Sequence, residues 1–254
     1  MNCKNCKKSL ITDYNFCPNC GAKVIRNRLT LKNLTADFTS RFLNVNNTIF
    51  QTFLHLFTKP DVVIKGYING VRKKYINPIS YFAFSIILSG LMFFVLKKIY
   101  KLTLMDSYLI SGGSKADVLF DYQGLMTYVS LPIFAFISWL IFIDKRKYNF
   151  TEHVVINMYI IAHYAIVQFV IYLIVLGLFN VGFTTFSNYA AAVILTYTLY
   201  VLKKLHQLNF KQIVLRGLMY IPLYFIGTTI ATTPFIIYLL YTGQLELSDL
   251  APKP

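Results

Sequence analysis

Four cysteines, Cys3, Cys6, Cys17 and Cys20, are the residues best placed to do chemistry, and the chain has no others. They read C-x2-C-x10-C-x2-C, with the second pair inside FCPNCGAKV. Two residues between cysteines let a tight knuckle aim both thiolates at one ion, and two knuckles complete a tetrahedral zinc site. Asn5 and Asn19 suit the turns, and Gly21 tolerates positive φ just after the second pair. Lys4, Lys7, Lys8 and Lys23 offset the negative charge of four thiolates. Two disulfides or a redox pair are the alternatives. A reducing cytoplasm disfavours the first, and the missing βαβ context disfavours the second. Four protein ligands close the site, so the zinc is expected to be structural and to supply the folding free energy of residues 1–27.

The other candidate chemistry lies in the apolar stretch from Tyr148 to Phe179. After Glu152 and His153 it has no formally charged residue, yet it holds Asn157, His163 and Gln168. At about 100° per residue, His153, Asn157, Tyr164 and Gln168 share one face, and Glu152, Tyr159 and His163 share another. Such polar groups are expensive in hydrocarbon, so this helix is expected inside a bundle. A second polar run, GTTIATTP, includes Thr229 and Thr232. Together these residues read either as a polar intramembrane site or as structural hydrogen bonding and close helix packing. No HExxH, GxSxG, Walker or Rossmann motif is present, so no residue is assigned as catalytic and an enzyme is not expected.

The elements that carry these residues follow from hydropathy. Only 14% of the 254 residues are charged and 56% are hydrophobic, with a mean hydropathy of +0.53. That is a membrane composition. Thirteen of the 25 Lys and Arg precede Ile79, and most others fall in short loops between apolar runs. The net charge of +15 therefore reads as positive-inside topology rather than nucleic-acid binding. Five spans are expected, near 79–96, 124–143, 153–179, 187–202 and 213–241, with Pro132, Pro222 and Pro234 as kinks. Loop charges put the amino end in the cytoplasm and the carboxyl end outside, although Lys97, Lys98 and Lys101 dissent from that topology. The opening MNCKNCKKSL has no apolar signal region.

The expected organisation is an all-α polytopic membrane protein: a cytoplasmic zinc ribbon at 1–27, amphipathic helices at 28–78, a five-helix transmembrane bundle at 79–243 and a tail at 244–254. The 28–78 helices either lie in the membrane plane or pack on the bundle. Arg72, Lys73 and Lys74 precede the first span as candidate lipid-headgroup contacts.

RLTLKNL at 28–34, the Pro60, Tyr67, Gly70, Arg72, Tyr75, Pro78 pattern and EHVV at 152–155 carry a resemblance. With the ribbon before them and the spans after, the chain resembles an uncharacterised bacterial family of zinc-ribbon membrane proteins. More distantly it is similar to Yip1-type membrane proteins, which implies a role in membrane trafficking. Neither likeness implies a reaction. The expected function is a non-enzymatic adaptor or membrane-organising protein of the cytoplasmic membrane. Its expected partners are membrane lipids and a protein at the ribbon, or a second copy. The alternative is a small transporter, channel or lipid-moving protein using the third and fifth spans.

Overall fold

The computed structural model describes residues 2–3, 6–11, 14–21, 24, 48–71, 74–100, 118–179 and 183–246. The chain divides into two compact units, Met1–Asn46 and Asn47–Pro254. Residues 28–47 of the amphipathic stretch, residues 101–117 and most of the carboxyl tail lie outside the described residues.

Among the described residues of the first unit, the apolar core is small: Cys3, Leu10 and Cys17 are buried, with Cys6 and Val24 against them. Each cysteine pair turns back on itself. Lys7 N–H donates to the Cys3 carbonyl at 2.9 Å, and Gly21 N–H donates to Cys17 at 2.9 Å. Lys7 and Gly21 take φ values of 61° and 68°. The glycine does so without strain.

Among the described residues the second unit is helical throughout, with no named strand. A helix through residues 48–58 (α1) is stopped by Pro60, which starts α2, Pro60–Ile68. Gly70, at φ 92°, closes α2: Val71 N–H reaches back to the Gly66 carbonyl at 2.8 Å. Next come α3, Pro78–Phe94, with a π-turn at Val95–Ile99, then α4, Val118–Val129, and α5, Leu131–Ile141. The long helices follow: α6, Phe150–Phe179; α7, Phe183–His206; and α8, Phe210–Tyr241. Asn77, Asn149 and Asn209 cap α3, α6 and α8, each accepting from a backbone N–H three residues on.

Side-chain pairs fix the directions. Tyr81 meets Tyr159 with ring centroids 6.1 Å apart, and Tyr100 closes on Gly177, so α3 and α6 run parallel. In α7, Phe186 lies against Tyr172 and His206 against His153, so α7 returns antiparallel to α6. Along α8, Arg216 meets Ile141, Tyr224 stacks on Phe134 and Phe235 meets Tyr122, so α8 opposes α4 and α5.

Among the described residues, four segments are long and apolar enough to cross a membrane: Pro78–Ile99, Gly124–Ile141, Phe150–Gly177 and Phe210–Tyr241. The helix expected at 187–202 forms within α7 but is not among them. Its inner side carries Tyr197, Thr198 and Tyr200, which bond to backbone rather than face hydrocarbon. The expected kink at Pro132 is a break between α4 and α5, because the proline has no N–H to continue the ladder from Tyr128. By contrast, α8 stays one helix through Pro222 and Pro234.

The first amphipathic helix lies against the bundle. Thr52 and Leu56 of α1 are fully buried, as are Val63 and Ile64 of α2.

Candidate metal centre and polar cavity

The four cysteine ligand atoms lie within 4.8 Å of one another. Cys3 and Cys20 sulfurs are 3.7 Å apart and Cys6 and Cys17 sulfurs 3.6 Å. A disulfide would need about 2.05 Å. Four thiolates about 2.3 Å from a shared ion, set tetrahedrally, would stand roughly 3.8 Å apart. The donor set therefore fits a metal ion. Backbone N–H of Lys8 and the Asn19 amide, 3.7 Å from the Cys6 sulfur, hold the Cys6 thiol below its ordinary range. Burial pushes the Cys17 thiol up, against backbone N–H groups of Cys20 and Asn19 that favour its thiolate. Such N–H···S contacts are what a metal-bound thiolate needs once its charge is shared with the ion.

In the second unit, the polar residues of α6 divide between two faces. On one, Asn157, Tyr164 and Gln168 line a cavity of about 200 Å³ together with Thr127, Thr198 and Tyr220. Asn157 donates to the Ser138 hydroxyl at 2.8 Å and to the His153 carbonyl at 2.8 Å. Ser138 spends its one proton on the Ala135 carbonyl, 3.0 Å away, and its oxygen meets His153 Nδ1 at 3.0 Å. That assigns the proton of neutral His153 to Nδ1.

On the other face, His163 is 1% exposed, with Nδ1 3.0 Å from the Tyr81 hydroxyl. Its Nε2 has no hydrogen-bond partner among the described residues. Rings of Phe53, Phe57 and Tyr197 surround it, Phe57 nearest at 4.3 Å. Since Tyr81 belongs to the first turn of α3, His163 sits level with the start of that span.

Glu152 is elsewhere. It is half-buried and forms the capping box of α6, accepting from Asn149 N–H at 2.8 Å. Thr229 and Thr232 bond back to the Phe225 and Thr228 carbonyls, both at 2.9 Å, and do not line the cavity. Beside them Gly227 lets α5 approach: a Cβ there would stand 2.7 Å from Ile137. Arg72 and Lys73 lie outside the described residues, and Lys74 is exposed, its ammonium 5.5 Å over the Tyr75 ring.

Position along the chain concealed the other polar cluster. His206, past the 187–202 stretch, stacks on Phe142 at 4.0 Å and near His153 at 6.0 Å. Neither of its nitrogens has a partner among the described residues, and burial pulls its pKa down to about 3. Next to it Arg216 grips Asp144 with two bonds, 3.0 and 2.6 Å, and bonds the Ile141 carbonyl. The guanidinium holds the Asp144 carboxyl below its usual range. Lys147 donates to the Leu205 carbonyl at 2.9 Å, and burial lowers its pKa. One signal was present in the sequence: a lone acid, Asp144, beside Lys145, Arg146 and Lys147.

A family model described as Protein of unknown function (DUF3667) matches residues 46–90. That stretch holds α1, α2 and most of α3. The match is narrower than the near full-length resemblance expected, and it speaks for neither a bacterial assignment nor a Yip1 likeness. No curated protein and no solved structure matches the chain.

Proposed function

We propose that this chain is a multi-pass protein of a cytoplasmic membrane whose amino-terminal module, folded around one zinc ion, docks a protein partner. The observation that carries the proposal is the four-sulfur cluster, with two opposite edges of 3.7 and 3.6 Å, all four ligand atoms within 4.8 Å of one another, and no protein position left open. A closed thiolate site does no Lewis-acid chemistry on a substrate; it fixes a shape. The shape it fixes presents Ile11 and Phe16, 62% and 60% exposed, on a module too small to bury them. The clustering of Lys147, Lys203, Lys204 and Arg216 at one end of the bundle supports a cytoplasmic orientation of that end. Lipids and a protein at the ribbon, or a second copy of the chain, are the partners in this reading. Catalysis plays no part in it.

Affinity copurification from mild detergent, comparing wild type with the Cys17→Ser, Cys20→Ser double variant, tests it. A protein recovered only with intact cysteines is the expected result. Identical recovery from a variant that inserts normally would refute the docking role.

The cavity beside Asn157, Tyr164 and Gln168 favours a second reading, passage or binding of a small polar solute within the bundle. Flux into liposomes, lost in Gln168→Leu and unaffected by the cysteine changes, would favour it over docking.

A further inference from the structure

We propose that the groove between α3 and α4 binds one anionic phospholipid, an acyl chain along its apolar walls and the phosphate at Lys97 and Lys98. The groove encloses about 500 Å³. Its α3 wall is a single helical stripe, Ile86, Ser89, Gly90, Phe93, Phe94, Lys97 and Lys98, and α4 supplies Gly124, Leu125 and Tyr128.

Three features make this more than lipid-facing surface. First, the groove is held open by glycine on both sides: a Cβ added at Gly90 or at Gly124 would meet nothing within 4 Å. Larger residues at either position would fill the space between the helices.

Second, its length fits. Lys98 and Ile86 are twelve positions apart, roughly 18 Å along a helix, against about 15 Å for half of a ~30 Å hydrocarbon core. A chain entering at the lysines would run the depth of one leaflet. At the floor, the Ser89 and Tyr128 hydroxyls bond each other at 2.9 Å, so neither asks for a polar group from the occupant.

Third, both lysines lie in the π-turn Val95–Ile99. The wider winding of a π-turn brings consecutive side chains closer to one face, and such turns gather at functional sites. Leu96, between them and Val95, is fully buried and belongs to a cluster with Met92, Tyr172 and Leu176, so the turn is held by packing. This also gives a physical role to two cations that disagree with the simple topology of loop charge.

The experiment is native mass spectrometry of the full chain extracted from vesicles of equal phosphatidylglycerol and phosphatidylcholine, with oleate in a parallel arm. Wild type should retain one phosphatidylglycerol per chain, preferred about tenfold or more over phosphatidylcholine. Lys97→Gln with Lys98→Gln should abolish the preference. Gly90→Leu with Gly124→Leu, which fills the groove and leaves the charges, should abolish retention of either lipid. Helical circular dichroism checks each variant; were the leucine variant misfolded, the Lys97→Gln, Lys98→Gln variant would decide. Equal retention of both lipids by wild type, an unchanged preference in the glutamine variant, or oleate bound in place of phospholipid would overturn the proposal.

Discussion

The Tyr197 hydroxyl of α7 donates to the Leu56 carbonyl at 3.1 Å, across 141 positions of sequence. Pro60 ends α1 and leaves its last carbonyls without helical donors. Tyrosines of the bundle replace them, for Tyr200 also donates to Phe57 and Thr58 at 3.0 and 3.2 Å. Tyr197→Phe keeps the ring packing and removes the donor. The expected loss is about 1–3 kcal/mol, the penalty of a buried unpaired carbonyl. Hydrogen exchange should rise in residues 48–58 and stay unchanged in α8; uniform exchange would contradict the assignment.

At Gly227 α8 packs closely on α5. Gly227→Ala places a methyl against Ile137 and Ile133, and Gly227→Val a larger group. Overpacking of this kind destabilises by roughly 1–3 kcal/mol. The melting temperature in detergent should fall in the order Gly, Ala, Val, and Ile137→Ala should restore much of the alanine variant's loss.

Acid should loosen the end of the bundle at His206. Folded, this histidine has a pKa of about 3 because it is buried; unfolded, it returns to about 6.5. Between those values the unfolded chain binds the extra proton, so stability is full above about pH 6.5 and falls as the pH drops through that window. The drop at pH 5 should be on the order of 2 kcal/mol. Lys147 and Arg216 nearby also oppose a charge on His206, and Asp144 favours one. His206→Phe should preserve the stack on Phe142 and reduce the fall in melting temperature between pH 7.5 and 5. The Asp144–Arg216 pair titrates lower, its contribution present above about pH 4 and lost below it.

Much of this architecture could be read from one-dimensional patterns. The cysteine spacing predicted a four-thiolate cluster because ligand geometry is local to each knuckle. The apolar runs located α3, α6 and α8, since membrane thickness sets their length. Helical periodicity also separated Asn157, Tyr164 and Gln168 from Tyr159 and His163, the division that the cavity and the Tyr81 contact display. Contacts between distant segments were not legible. Nothing in the spacing of His153 and His206, or of Asp144 and Arg216, says that chain reversals through α7 and α8 bring them together. Thr229 and Thr232 left two readings open, because composition cannot tell a hydroxyl facing a cavity from one bonded to its own preceding turn; the bonds to Phe225 and Thr228 are of the second kind.

Metal content offers a check on the amino-terminal unit alone. Wild type should carry one zinc per chain after purification without added metal. Cys17→Ser removes a buried ligand and should leave well under half that amount, together with faster proteolysis of residues 1–27. The melting temperature of the bundle should not change, because the cysteines and the bundle belong to separate compact units.

The most direct test of the central claim is zinc-dependent release of a bound partner from the wild-type protein in mild detergent. Chelation should free the partner and restored zinc should recapture it, with the helical spectrum constant throughout. A partner that stays bound after zinc has been removed would contradict a docking surface shaped by the four cysteines.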